Sequence, residues 1–167
     1  ELARIQRIGK VGGFEVDLRE GIQNRRSPEY LIIHGLPPEA KNETQNDWVR
    51  RVLPEDRERA LKYFQDSLAG DAREYTAQYR IIRPNDGQLR WINVVAEIER
   101  DAQGRALRLV GAHIDVTDRM LAQDALKESR LANDLRFVEN GEELLEYLRR
   151  QGPFAEEGKA PTPGLIL

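Results

Sequence analysis

The sequence of 167 residues contains no cysteine. That excludes disulfides, thiolate metal sites, cysteine nucleophiles and cysteinyl-flavin photochemistry, and it fits a reducing compartment. Histidine is scarce: His34 and His113 are the whole supply. Either could ligate haem or another metal only with a second ligand set supplied from elsewhere. Long apolar runs are missing as well. No stretch approaches the ~20 residues that span a bilayer, and the N-terminus lacks the apolar region of a signal peptide, so a cytoplasmic location without membrane contact is expected.

An excess of one charge is also lacking. Lys and Arg number 26 against 29 Asp and Glu, a formal net charge of -3, which gives no pull toward nucleic acid or an anionic membrane. The pairs Arg25-Arg26, Arg50-Arg51 and Arg149-Arg150 are isolated. They read as solvated helix and turn faces, because phosphate binding needs clustered cations. There is no Gly-x-Ser-x-Gly, P-loop or HExxH signature. Catalysis would fall to carboxylates, and Glu97 and Glu99, two apart on a predicted strand, share a solvent face. A non-catalytic chain is the expectation.

What is present is organised around 74–118. Tyr75–Ile82, Leu89–Ile98 and Ala106–Val116 are rich in β-branched and aromatic residues, and the turn clusters Pro84-Asn85-Asp86-Gly87 and Asp101-Ala102-Gln103-Gly104 part them. Such a pattern predicts a three-stranded antiparallel meander. Tyr75, Ala77, Tyr79 and Ile81 alternate with Thr76, Gln78 and Arg80, and Ile92, Val94, Ala96 and Ile98 with Asn93, Glu97 and Glu99, so one face is dry and needs a cover.

Upstream, Leu2, Ile5 and Ile8 stripe a short helix over Glu1–Val11, ended by Gly12-Gly13. Phe14, Val16 and Leu18 mark a first strand that turns at Gly21 into a weaker one at Ile22–Arg25. Ser27-Pro28-Glu29 caps a short helix, and Asn46 or Asp47 caps the turn that holds Trp48. Pro54 opens the longest helix, closed by Gly70, with Ala60, Leu61, Phe64 and Leu68 on one stripe. The order predicts an α+β domain: a five-stranded antiparallel sheet with helices on one face.

The run from Ile8 to Arg119 resembles a PAS domain, in the PAS fold-3-like subgroup opened by Gly-Gly-Phe-Glu-Val-Asp. The resemblance rests on Ser27-Pro28-Glu29, Leu53-Pro54-Glu55-Asp56-Arg57, Tyr79-Arg80-Ile81, Asp86-Gly87, Arg90-Trp91-Ile92 and a closing PAC-type Asp115-Val116-Thr117-Asp118. Leu53 stands where that family often has His. The resemblance implies a sensory and dimerisation module of bacterial two-component signalling, acting with a histidine kinase or another signalling domain. Asp115, Thr117 and Asp118 would pass changes from the sheet to the outgoing helix, with Thr117 or Asp118 as its cap. Such a core often holds a small ligand, whose identity is open. The candidate lining is Trp48, Val52, Phe64, Tyr75, Ala77, Tyr79, Val94, Val110, Ala112 and Ile114, residues that would equally fill a dry core. Leu2, Ile5, Ile8, Leu121 and Ala125, on the flanking helices, are the candidate contacts of a homodimer.

After a helix over Arg119–Ala132, the tail 133–167 reads as a strand at Leu135–Glu139, a helix at Glu142–Arg150 with Leu144, Leu145 and Leu148 inward, and a buried strand at Leu165–Leu167. Ala125–Glu128, Asn133–Leu148 and Pro163–Leu167 resemble an internal piece of a receiver domain, in the subgroup paired with phytochrome-type kinases. The acidic pair and phosphoacceptor Asp of a receiver are absent. The first strand is absent too, so the two tail strands would flank a gap. The expectation is a tail that associates with a second chain or stays mobile. The expected division is thus helix 1–11, PAS domain 12–118, signalling helix 119–132 and incomplete receiver-like segment 133–167. Two alternatives stay open: a fragment of a phosphoacceptor response regulator, and a structural chimera without signal input.

Overall fold

The computed structural model describes residues 10–19, 23–40, 42–128, 136–138, 140–156, 160, 161 and 163. The chain divides into two compact units, Glu1–Met120 and Leu121–Leu167.

The first unit contains strands β1 (Val11–Asp17), β2 (Gln23–Arg26), β3 (Glu74–Ile82), β4 (Leu89–Arg100) and β5 (Ala106–Asp115). They form one antiparallel sheet in the order β2-β1-β5-β4-β3. Helices α1 (Pro28–His34), α2 (Gln45–Arg51) and α3 (Pro54–Ala69) lie between β2 and β3 in the chain. This is the predicted α+β sheet with its meander.

Local chemistry fixes the helix starts. The Ser27 side chain accepts from the Tyr30 N–H, Pro28 occupies the first turn of α1, and Gly35 at φ 64° closes it. For α2 the cap is Thr44, not Asn46 or Asp47: Thr44 and Asp47 form a reciprocal capping box. Asp47 thus serves as the third helical residue. Val11 lies in β1 rather than in a helix, and the second strand is Gln23–Arg26. Leu2, Ile5, Ile8, Gly21 and Ile22 lie outside the described residues.

The core joins the inward rows of the sheet to the helices. Tyr75, Tyr79, Ile81, Ile92, Val94, Ala96 and Ile98 are buried, as are Tyr30, Leu31, Ile33, Trp48, Val52 and Ala60, with Leu61, Phe64, Leu68 and Ala77 packed against them. On β5 the inward residues are Leu109, Gly111 and His113, directly opposite Ile98, Ala96 and Val94. At Gly111 a Cβ would collide with Ala96, so the sheet face there closes only around glycine. Asp56, in the first turn of α3, fastens this helix to β3: it accepts from the Arg80 N–H at 2.9 Å and from its guanidinium at 2.8 and 3.0 Å.

Helix α4 (Thr117–Glu128) leaves the sheet. The second unit contains α5 (Gly141–Arg149), capped by the Asn140 side chain, and a 3-10 turn at Gly152–Phe154. Residues 136–138 form no strand; Leu135, Glu139 and Leu165–Leu167 lie outside the described residues. Tyr147 is the buried residue of α5, with its hydroxyl donating to the Pro161 carbonyl. Leu144 is half-buried, whereas Leu145 and Leu148, expected inward, are 49% and 44% exposed.

Candidate functional site

A cavity of about 150 Å³ lies in the first unit between the sheet and the helices. Most of its wall is apolar: Phe14, Val16, Leu18 and Leu109 from β1 and β5, Trp48 from α2, Phe64 and Leu68 from α3, and Tyr75 from β3. The Trp48 indole donates to the Tyr79 hydroxyl at 2.9 Å, which fixes both rings. The rest of the wall includes Asn24, Arg26, Tyr30, Gln45 and His113.

Behind the polar wall is a buried network. Glu43 accepts from the Tyr30 hydroxyl at 2.9 Å and pairs with Arg51 at 2.6 Å and with Arg26 at 3.3 Å. The Arg26 guanidinium also lies against the Tyr30 ring, 4.8 Å from its centroid. The Asn24 amide donates to the Glu43 carbonyl, so its buried Oδ1 keeps no partner among the described residues.

The two histidines complete the network. Arg51 Nε donates to His34 Nδ1 at 3.4 Å, and His34 Nε2 faces His113 Nδ1 at 2.8 Å. Arginine has no acceptor, so His34 Nδ1 must be bare and the proton of that ring sits on Nε2, which donates to His113 Nδ1. His113 therefore carries its own proton on Nε2. This relay requires both rings to be neutral. Burial, then the charges around them, push both imidazoles well below the usual histidine range; Arg51 and Arg26 act on both rings. Burial also raises the phenols of Tyr30, Tyr75 and Tyr79.

The exit from the sheet adjoins this wall. Asp115, two residues after His113, accepts from the N–H and hydroxyl of Thr117 through Oδ1. The Thr117 hydroxyl accepts from the Trp91 N–H at 3.0 Å, and the Val116 N–H donates to the Trp91 carbonyl at 2.9 Å. Asp115, rather than Thr117 or Asp118, thus holds the first turn of α4. Asp118 forms an ion pair with Lys10 at 2.6 Å, which lowers its carboxyl.

Of the expected lining, Trp48, Phe64, Tyr75 and Tyr79 surround the cavity, while Val52, Ala77 and Val94 belong to the surrounding core. Val110, Ala112 and Ile114 lie on the opposite face of the sheet, because their register on β5 alternates with the inward Leu109 and His113. Leu121 is 59% exposed on α4, and Ala125 is exposed beside it. Glu97 and Glu99 are exposed, with Glu99 paired to Arg108 at 2.6 Å. Among the described residues no three acidic or imidazole groups cluster as a metal site, and no helix is long and apolar enough to cross a membrane.

Sequence reasoning missed the polar wall. Arg26 and Arg51, expected on solvated faces, have buried side chains. A signal existed for each: Arg26 shares the inward face of β2 with Asn24, two residues away, and Arg51 follows Trp48 by three on one face of α2.

The family model described as "PAS fold" matches residues 24–113. A probable diguanylate cyclase of Escherichia coli, DgcE, is 31% identical over 122 residues, 73% of this chain; the chain spans 11% of that relative's length. Two solved structures share the architecture. A sensory box histidine kinase/response regulator from Burkholderia thailandensis superposes with a TM-score of 0.61 at 27% identity, covering 78% of this chain and 95% of that one. The N-terminal domain of a diguanylate cyclase with PAS/PAC sensor from Marinobacter aquaeolei gives 0.59 at 22%, covering 66% and 98%. With over half of its length matched by the family and the five-stranded sheet in place, the chain belongs to the PAS fold family.

Proposed function

We propose that this chain is a non-catalytic sensory module of a bacterial signalling protein, in which the state of the cavity is passed through Asp115, Thr117 and Asp118 into α4. The observation that carries this reading is that His113, a residue of the cavity wall, is two residues from Asp115 on the same face of β5. A ligand that moves His113 therefore acts within one strand repeat, about 7 Å, of the hydrogen bonds that start the helix. Signalling proteins with histidine kinase and diguanylate cyclase names among the relatives agree with this role. Native mass spectrometry for a bound molecule of a few hundred daltons, combined with hydrogen exchange, tests it. The expected result is altered exchange over Thr117–Glu128 when the cavity is filled; a filled cavity with unchanged exchange there would refute it.

A second reading concerns the tail. The exposed Leu145 and Leu148 on α5 favour a receiver-like unit that meets a further surface, and a homodimer contacting through Leu121, Ala125 and the N-terminal stripe supplies one. Sedimentation of Leu145→Ser and Leu148→Ser variants, against Leu121→Ser, separates the two contacts. A wild-type chain that remains a monomer at high concentration would refute the dimer.

A further inference from the structure

We infer that the cavity takes a small aromatic monocarboxylate, with its carboxylate against Arg26 and His113 and a neighbouring hydroxyl or amino group donating to Asn24. This rests on the sensory reading above for the presence of a ligand, and goes beyond it in chemical class. Three observations lead to it.

The first is a charge imbalance. Arg26 and Arg51 share a single carboxylate, Glu43, at 3.3 and 2.6 Å. The nearby Glu15 carboxylate is occupied by Arg25 at 3.8 Å and Arg108 at 3.1 Å. With neutral histidines, the hydrogen-bonded cluster holds two cations for one anion. A buried surplus charge is costly until an opposite charge joins it. Among the possible ligand heads, a carboxylate balances the cluster, an alcohol leaves it as it is, and an ammonium worsens it.

The second is the pair of unused polar positions. In the tautomer that Arg51 and His34 impose, His113, in the cavity wall, carries its proton on Nε2 as a donor, and Asn24 Oδ1 accepts nothing among the described residues. Asn24 is 4% exposed and lines the cavity beside Arg26. One donor and one cation suit a carboxylate, and one acceptor suits an adjacent O–H or N–H.

The third is size and wall. A closed apolar space of about 150 Å³ accepts a benzene ring, and this cavity has a similar volume. Phe14, Trp48, Phe64 and Tyr75 offer ring faces and edges to an aromatic body.

The test is calorimetric titration of the full chain with a matched series at fixed ionic strength: mandelate, phenylacetate, 2-phenylethanol and 2-phenylethylamine. The expected result is that both carboxylates bind at least about tenfold tighter than the alcohol, with the amine weakest, the scale of one charge-assisted hydrogen bond. Mandelate should exceed phenylacetate through its hydroxyl. Arg26→Met should remove the carboxylate preference while the alcohol still binds. Should that variant not fold, Asn24→Ala should erase the advantage of mandelate over phenylacetate alone. An alcohol or amine that binds as tightly as the carboxylates overturns the inference, and so does a series in which nothing binds. Carboxylate preference without any change of exchange in Thr117–Glu128 upholds this inference and overturns the transmission proposed above.

Discussion

Acidification from pH 7 to pH 5 should cost the PAS unit about 4 kcal/mol of stability, through two residues alone. In the fold His34 and His113 are neutral, because Arg51 donates to one ring and this ring donates to the other. A proton added to either would set two N–H groups against each other or against a guanidinium. Both folded values are therefore depressed far below the unfolded one, which is about 6.5. The unfolded chain then binds more protons throughout this window. The stability is fully present above about pH 7 and falls as the pH drops through 6 toward 5. From the unfolded value alone, each histidine costs about 2 kcal/mol between pH 7 and 5, or about 4 together, against total stabilities of about 5–15 kcal/mol. Carboxylates that are lowered in the fold, such as Asp56, contribute little to the change above pH 5, since their contribution is lost only as the pH approaches and passes below about 4. The assay is urea denaturation at pH 7, 6 and 5 at constant ionic strength, followed by tryptophan fluorescence, which reports the buried Trp48. His34→Gln should roughly halve the pH dependence. A wild-type difference below about 1 kcal/mol between pH 7 and 5 would show that a proton is accommodated between the rings, and the relay as drawn would be wrong.

Three further outcomes are expected. Asp56→Ala removes one backbone and two guanidinium hydrogen bonds and should destabilise by about 3 kcal/mol in urea titrations. Gly111→Ala, a change that usually favours a strand, should instead cost more than about 2 kcal/mol, because the added methyl meets Ala96 and the Val95 carbonyl; a neutral or stabilising result refutes the close approach. Asp115→Ala should cost about 1 kcal/mol and raise hydrogen exchange at the start of α4 while leaving β3 and β4 protected.

The architecture was legible wherever alternation and turn chemistry agreed. Tyr75, Tyr79, Ile92 and Val94 are turned inward, while Thr76, Gln78, Arg80 and Asn93 alternate with them, so strand and face could both be read. On β5 the same logic inverted the strand. Its inward row contains a glycine and a histidine, while Val110, Ala112 and Ile114 form the outward row, so the more hydrophobic face is the wrong one. The apolar wall of the cavity was readable for the same reason that the core was. Its polar wall was not, because Arg26, Glu43 and Arg51 are buried by one another's charge rather than by their own hydrophobicity, and that depends on elements far apart in sequence. The Thr44 cap was missed because Asn46 and Asp47 are equally good cappers by type, and only the backbone decides between them.

The fastening of α3 to β3 has a consequence for the solubility of the protein. Strand β3 is the last in the sheet and pairs only with β4, so its other side would present bare amides and carbonyls to any passing chain. Over 78–81 three of those groups are already engaged: the Asp56 carboxylate takes the Arg80 N–H, the Leu53 N–H donates to the Arg80 carbonyl at 2.8 Å, and Arg59 donates to the Gln78 carbonyl at 3.2 Å, while Val52 bridges to Ile81. The start of the long helix therefore works as a guard against edge-to-edge strand addition, the first step of aggregation in open sheets.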